Sequence, residues 1–403
     1  KVTKASLLAV ALTLPQIQAA VWTVESWTSA ATDGQWFNDA HWDTAAPNGV
    51  DAVADFTFAK SGTADFIGLS SSPTVGHLFF ENTSASEENF LIMAGGGSGN
   101  RIFFEVSSGN ATVGAAADMT LNIRGGMALT SPLEKIGPGH FIQSVTDIQG
   151  SGAFIMNGGT ARFTGANNAY TGGTIVNVGS LDANWLASMG TGDVAVNGQG
   201  QVVLTSTGDA GYNNNFIING QGTDGGADDG AIRLRGTSIN GTVELQSDSR
   251  ISLSDGSLNA SESELRNVVS GTGGLELTGT GTNPTLTLLA ANTYTGATTV
   301  QSGQLLIDPA STATSPLWTV NGGSLHLPDD SGSPIENLIG APAVTVNGGA
   351  LQVINNTETI GTLTMDSSVE PATFITANNG AGTTTATLTV GTLDLTGTEN
   401  FLE

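Results

Sequence analysis

The sequence predicts an all-β fold, a parallel β-solenoid forming a single elongated body. Three observations carry this prediction. First, short period-two apolar runs recur with Gly and Asn between them, as in Leu275/Leu277, Leu286/Leu288 and Thr298/Val300. Such runs are strands that bury one face and end at turns. Second, the chain repeats itself. Tyr170–Leu181 and Tyr294–Leu305 both read Tyr-Thr-Gly-x-Thr-x-Val-x-x-Gly-x-Leu, without a gap, inside the longer related stretches 150–181 and 271–307. A unit that cannot bury its apolar face alone must stack on its neighbours. Third, the 403 residues include 55 glycines, only 6% aromatics and no long segment of helical period. That composition gives a thin core of single Leu, Val and Ile side chains per strand.

Taken in order, residues 1–20 read as a Sec-type signal peptide. Lys1 and Lys4 precede an apolar run from Ala5 to Leu14, Pro15 breaks it, and Ala19 and Ala20 are small. The run is too short to span a bilayer. The first residue is Lys, from which the sequence reads as a fragment of a longer frame. Residues 21–58 form a Trp-rich N-terminal segment holding Trp22, Trp27, Trp36 and Trp42. Two readings stand side by side: flat rings as a glycan-stacking platform, or bulky rings covering the open end of the solenoid.

Residues 59–403 read as the solenoid, with its C-terminus ending in mid-pattern. Short alternations such as Ile102/Phe104 and Met119/Leu121/Ile123 are separated by Gly-rich breaks, including 95–97. His77 and His140 sit singly, without a second histidine at metal-ligand spacing. Val-Asn-Gly recurs at Asn197, Asn321 and Asn347. Asn-Gly tolerates positive φ, so these copies read as corners of a repeated coil, with independent hairpins as the alternative. The polar run from Asp209 to Gly230 has Gly and Asp of a calcium-repeat type, but neither in tandem nor at the spacing such repeats need. It reads as a solvated loop.

The paired motif resembles the autotransporter-associated β-strand repeat. The likeness covers the two copies, carried by Tyr170, Gly172, Gly179 and Leu181 in the first and Tyr294, Gly296, Gly303 and Leu305 in the second. The resemblance implies a right-handed parallel β-helix passenger, displayed at or released from the surface of a Gram-negative-type cell. It implies no catalytic residues. A translocator would add a C-terminal outer-membrane barrel, whose run of amphipathic strands is not visible here.

Charge narrows the partners. The formal net charge is −25, from 36 acidic and 11 basic residues. Such a surface repels nucleic acid and anionic membranes and keeps a β protein soluble. There are no cysteines, so burial and hydrogen bonding alone must hold the chain. The expected role is a non-catalytic structural or adhesive passenger without cofactor or metal, meeting surface glycans or host and neighbour-cell proteins. Two alternatives remain at this point. One is a polysaccharide lyase or hydrolase using Asp224, Asp228 and Asp229 with Arg233 and Arg235, which share a strand face. The other is a carbohydrate-binding surface protein using the N-terminal tryptophans.

Overall fold

The computed structural model describes residues 20–21, 35–58, 65–82, 88–94, 99–144, 147–205, 210–223, 229–254, 262–281, 284–328, 336–368, 372–377, 386–396 and 400–402. Residues 1–19, Trp22, Trp27, the glycines at 95–97, Asp224 and Asp228 lie outside them. The parallel sheets form a β-solenoid of about 12 turns. The chain divides into two compact units, Lys1–Val194 and Ala195–Glu403.

In the first unit three rows of strands run side by side, each strand lying parallel to its counterpart one winding later. One row contains Val53–Phe58, His77–Asn82, Ala111–Ala115, Leu133–Ile136 and the leading halves of Phe154–Phe163 and Thr174–Ala183. A second contains Asp65–Leu69, Glu88–Ala94, Met119–Ile123, His140–Gln143 and the trailing halves of the same two long strands. The third contains Thr74–Val75, Arg101–Phe104, Gly126–Leu129 and Ile148–Gly150. Ala20 and Val21 pair with Ala54 and Asp55. The winding therefore already includes Val53–Phe58, inside the segment 21–58 that the sequence sets apart by its tryptophans.

Alternation explains the rows. Met119–Ile123 is buried at every second residue, and in register Leu121, Phe141, Ala161 and Leu181 form one inward column with at most 2% exposure. Each column is a continuous apolar stripe, and each large member stabilises the coil by roughly 1.5–3 kcal/mol relative to exposure. Some inward positions depart from the pattern, Gln143 and Lys135 among them. Lys135 lies in register between Val113 and Met156 and is fully buried. Its Nζ donates to the carbonyls of Gly137, Gly139 and Gly158 at 2.6–2.7 Å, which supplies the partners that a buried ammonium requires.

The second unit repeats the plan. Val202, Ile232, Ile251, Leu277, Val300, Val320, Val346 and Met365 stack in register, each at most 1% exposed. A parallel row runs through Glu262–Leu265, Thr285–Leu288, Gln304–Ile307, Ser324–Pro328, Gly349–Ile354 and Ala372–Ala377. Asn321 and Asn347 sit at the bends after Leu317–Val320 and Ala343–Val346. They are corners between parallel strands, and the Asn347 amide donates to the Asn321 oxygen across coils at 2.9 Å.

Candidate functional site

The repeated motif builds a corner whose groups bind one coil to the next. Asn168 and Asn292, two residues before each tyrosine, reach back to the preceding coil. The backbone N–H of Ile148 donates to Asn168 Oδ1 at 2.8 Å, and that of Val269 donates to Asn292 Oδ1 at 2.9 Å. Their amide groups donate in turn to backbone carbonyls, Asn168 to Ser188 and Asn292 to Ala290, both at 2.6 Å. The tyrosine that follows is fully buried in both copies. Its hydroxyl bonds the hydroxyl of the threonine four residues on: Tyr170 with Thr174 at 2.5 Å, and Tyr294 with Thr298 at 2.7 Å. Burial holds both phenols protonated, their pKa raised despite the bond to threonine.

The glycines are required by proximity. A Cβ on Gly172 would lie 2.4 Å from the backbone of Gly152 and Ala153, and one on Gly296 would lie 2.2 Å from Gly274 N. No real Cβ comes so near, so only glycine lets the corners nest. At the motif's end Gly179 and Gly303 take φ of 93° and 80°, which L side chains disfavour. Leu181 and Leu305 then return to the core, both fully buried.

Two segments, 149–183 and 285–307, match the family model of the passenger-associated-transport-repeat. The chain carries passenger-associated-transport repeats. Together with the solenoid they fit an autotransporter passenger-like β-helix protein. No curated protein and no solved structure matches the chain.

Outside the transport-repeat corners the sequence-derived candidates separate. Trp36 and Trp42 are 0% and 4% exposed. They pack on each other and on Phe56 with ring centroids 5.3–5.8 Å apart. Both indole N–H groups are satisfied, by Pro47 O and Trp36 O. These two rings offer no free face to a sugar; Trp22 and Trp27 are outside the described residues. Of the acidic loop, Asp229 is described and accepts from the Thr223 hydroxyl at 3.4 Å. Arg233 lies on the outer side of Ile232–Leu234 and donates from Nε to Ser254 at 3.1 Å. Among the described residues no group of three His, Asp or Glu side chains gathers as a metal site, and no helix is long and apolar enough to cross a membrane.

His77 is buried and stacks on Phe79, and burial lowers its pKa against the opposing pull of Asp51. His326 is likewise lowered by burial, with Gln304 at 2.8 Å. Beside Gln304 a depression of about 380 Å³ follows the transport-repeat glycine Gly303 and its neighbours Gly279, Gly323 and Gly349. Its polar side chains are Ser302, Gln304 and Ser324, all uncharged. That lining supplies no acid–base pair.

Sequence reasoning missed three features. Asn168 and Asn292 carried no assigned capping role in the sequence, although both copies place Asn two residues before Tyr. Glu358, fully buried in the second unit, lies in a strand whose alternation gave no warning of an inward carboxylate. Trp185 stands apart from the N-terminal cluster in sequence and is exposed.

Proposed function

We propose that this chain is a non-catalytic passenger, exported to the surface of a Gram-negative-type cell and acting there as a structural or adhesive solenoid. The observation that carries this reading is the use made of the motif residues in both transport-repeat segments. Asn168, Tyr170 and Gly172, like Asn292, Tyr294 and Gly296, are committed to backbone caps, buried hydroxyl pairs and coil nesting. These are structural tasks, and they leave the motif no reacting group. The transport-repeat match supports secretion and surface display. The acidic composition supports life as a soluble surface far from nucleic acid.

Intact-cell labelling tests the location. In a Gram-negative host carrying the gene with its own leader and downstream sequence, antibody against the solenoid should stain unpermeabilised cells. Staining only after permeabilisation would refute surface display. Release of reducing ends or unsaturated uronates from a polysaccharide panel by the purified chain would refute the non-catalytic reading.

A further inference from the structure

We infer that Asn321 is a site of spontaneous covalent modification, closing on the backbone nitrogen of Gly322 to a succinimide that opens to aspartate or isoaspartate. Asparagine is a labile residue, most of all before glycine, where no side chain hinders the next backbone nitrogen. The chain has eight Asn-Gly pairs, at Asn48, Asn157, Asn197, Asn219, Asn240, Asn321, Asn347 and Asn379. Asn379 lies outside the described residues, and the structure separates the others.

Ring closure has three requirements. The asparagine must leave the extended conformation, the glycine N–H must be unengaged, and the glycine must be open to water. Asn157, Asn197 and Asn219 lie in the strands Phe154–Phe163, Val194–Leu204 and Phe216–Asn219. A strand ψ of about +115° is far from what the five-membered ring needs. Asn157 also donates to the Glu134 carboxylate at 2.6 Å, a charge that opposes formation of the attacking amide anion. Gly49 donates its N–H to Thr74 O at 2.8 Å. Gly241 and Gly348 are buried. Only the pair at Asn321 meets all three conditions among the described residues. It sits at the bend after Leu317–Val320, and Gly322 is exposed. The Gly322 N–H has no acceptor among the described residues. A Cβ on Gly322 would find a single neighbouring residue within 4 Å, at Gln301 O.

The coil-to-coil amide ladder adds to this. The Asn347 amide donates to Asn321 Oδ1 at 2.9 Å, which draws charge from the Cγ carbonyl as it is attacked, in the manner of an oxyanion donor. The Asn321 amide donates to Gln301 Oε1 at 2.9 Å. Both partners are uncharged, so neither repels the anion. Hydroxide takes the Gly322 N–H proton, the nitrogen bonds to Cγ, and the Cγ–Nδ2 bond breaks. Nδ2 departs as ammonia after taking a proton from water. Water then opens the imide, at Cγ to give aspartate or at the backbone carbonyl to give isoaspartate. The net change is one water consumed and one ammonia released. Either product puts a carboxylate where an amide stood, so the bond to Gln301 is lost. Isoaspartate also lengthens the backbone beside Gly323, where a Cβ would already lie 2.2 Å from Gly303 O.

The test ages the purified full chain in mildly alkaline buffer and maps its peptides by mass spectrometry, with fragmentation that distinguishes isoaspartate from aspartate. Asn321 should convert faster than Asn48 by about fivefold or more, the scale of the backbone hydrogen bond that Gly49 must first give up. The conversion should slow in weakly acid buffer. In denaturant the preference for Asn321 should disappear, because the fold creates it. Asn321→Gln keeps an amide in the ladder and should abolish the conversion without changing the circular dichroism spectrum. An Asn321 that stays intact in folded chain overturns the site, as does equal conversion at Asn48. A preference for Asn321 that persists in denaturant would assign it to sequence alone and overturn the structural argument.

Discussion

At the scale of single residues, Lys135 and Glu358 are buried ionisable groups of opposite type whose environments both push toward neutrality. Burial lowers the Lys135 ammonium to about 8, although three carbonyls solvate it. Burial pushes the Glu358 carboxyl up to about 7, and neighbouring Glu336 raises it further. The backbone N–H groups of Asn337 and Leu338 and the Asn356 amide oppose this by donating to the carboxylate at 2.8–3.2 Å. The raised value has a definite consequence for stability. Between the unfolded value of 4.5 and about 7 the folded chain holds a proton that the unfolded chain has released. Stability from this group is therefore complete below 4.5 and fades as pH climbs through about 7. Its size is up to about 3 kcal/mol, from the difference between the two values. Denaturant unfolding of the second unit should shift to higher midpoints as pH is lowered from 8 to 5. Glu358→Gln should flatten that slope while lowering the midpoint at acid pH, because its amide would face the Leu338 N–H. An unchanged slope in the variant would assign the pH effect to the surface acids instead.

At the scale of the element, the repeat corner ranks its own substitutions. Tyr294→Phe removes one hydroxyl from a buried pair and should cost about 1 kcal/mol, with Thr298 free to turn to another acceptor. Gly296→Ala drives a methyl into the preceding coil at 2.2 Å from Gly274 N, and should cost about 3 kcal/mol or more, since backbone there has nowhere to move. Hydrogen exchange gives the finer check. A solenoid turn contacts only its neighbours, so Gly296→Ala should lose protection in 269–271, 298–300 and 317–320 and keep it in 216–219. Uniform loss across the unit would show that coils unfold as one block. The aromatic, the glycines and the apolar positions of this corner were legible because they recur at fixed offsets. The caps by Asn168 and Asn292 were not, since their partners Ile148 and Val269 lie on the previous winding and a linear reading cannot pair them. Trp36 and Trp42 show the same limit from the other side: clustering in sequence does not say which way a ring points, and both point inward while Trp185 points out.

At the scale of the molecule, the winding was readable because alternation and Gly/Asn corners specify stacked strands more strongly than any other arrangement. Lys135 and Glu358 were invisible because their acceptable burial depends on corner carbonyls and amides supplied from sequence-distant segments. Charge is the remaining global property, and its balance can be argued. The ion pairs Arg101–Asp147, Arg162–Asp182, Arg250–Glu276 and Arg266–Glu264 have partly exposed partners. Pairs of that kind contribute about 0–1 kcal/mol each and weaken in salt. Against them stands the mutual repulsion of a chain with 36 acidic and 11 basic residues, which is also screened once the Debye length falls below about 10 Å. Excess like charge spread over a folded surface destabilises the compact state, and here 36 acidic residues face only 11 basic ones. Raising sodium chloride from low to near-molar concentration at neutral pH should therefore raise the thermal midpoint followed by circular dichroism. A midpoint that falls with salt would mean that ion pairs such as these outweigh the repulsion, and that the acidic surface is organised into attractive networks with the arginines it holds.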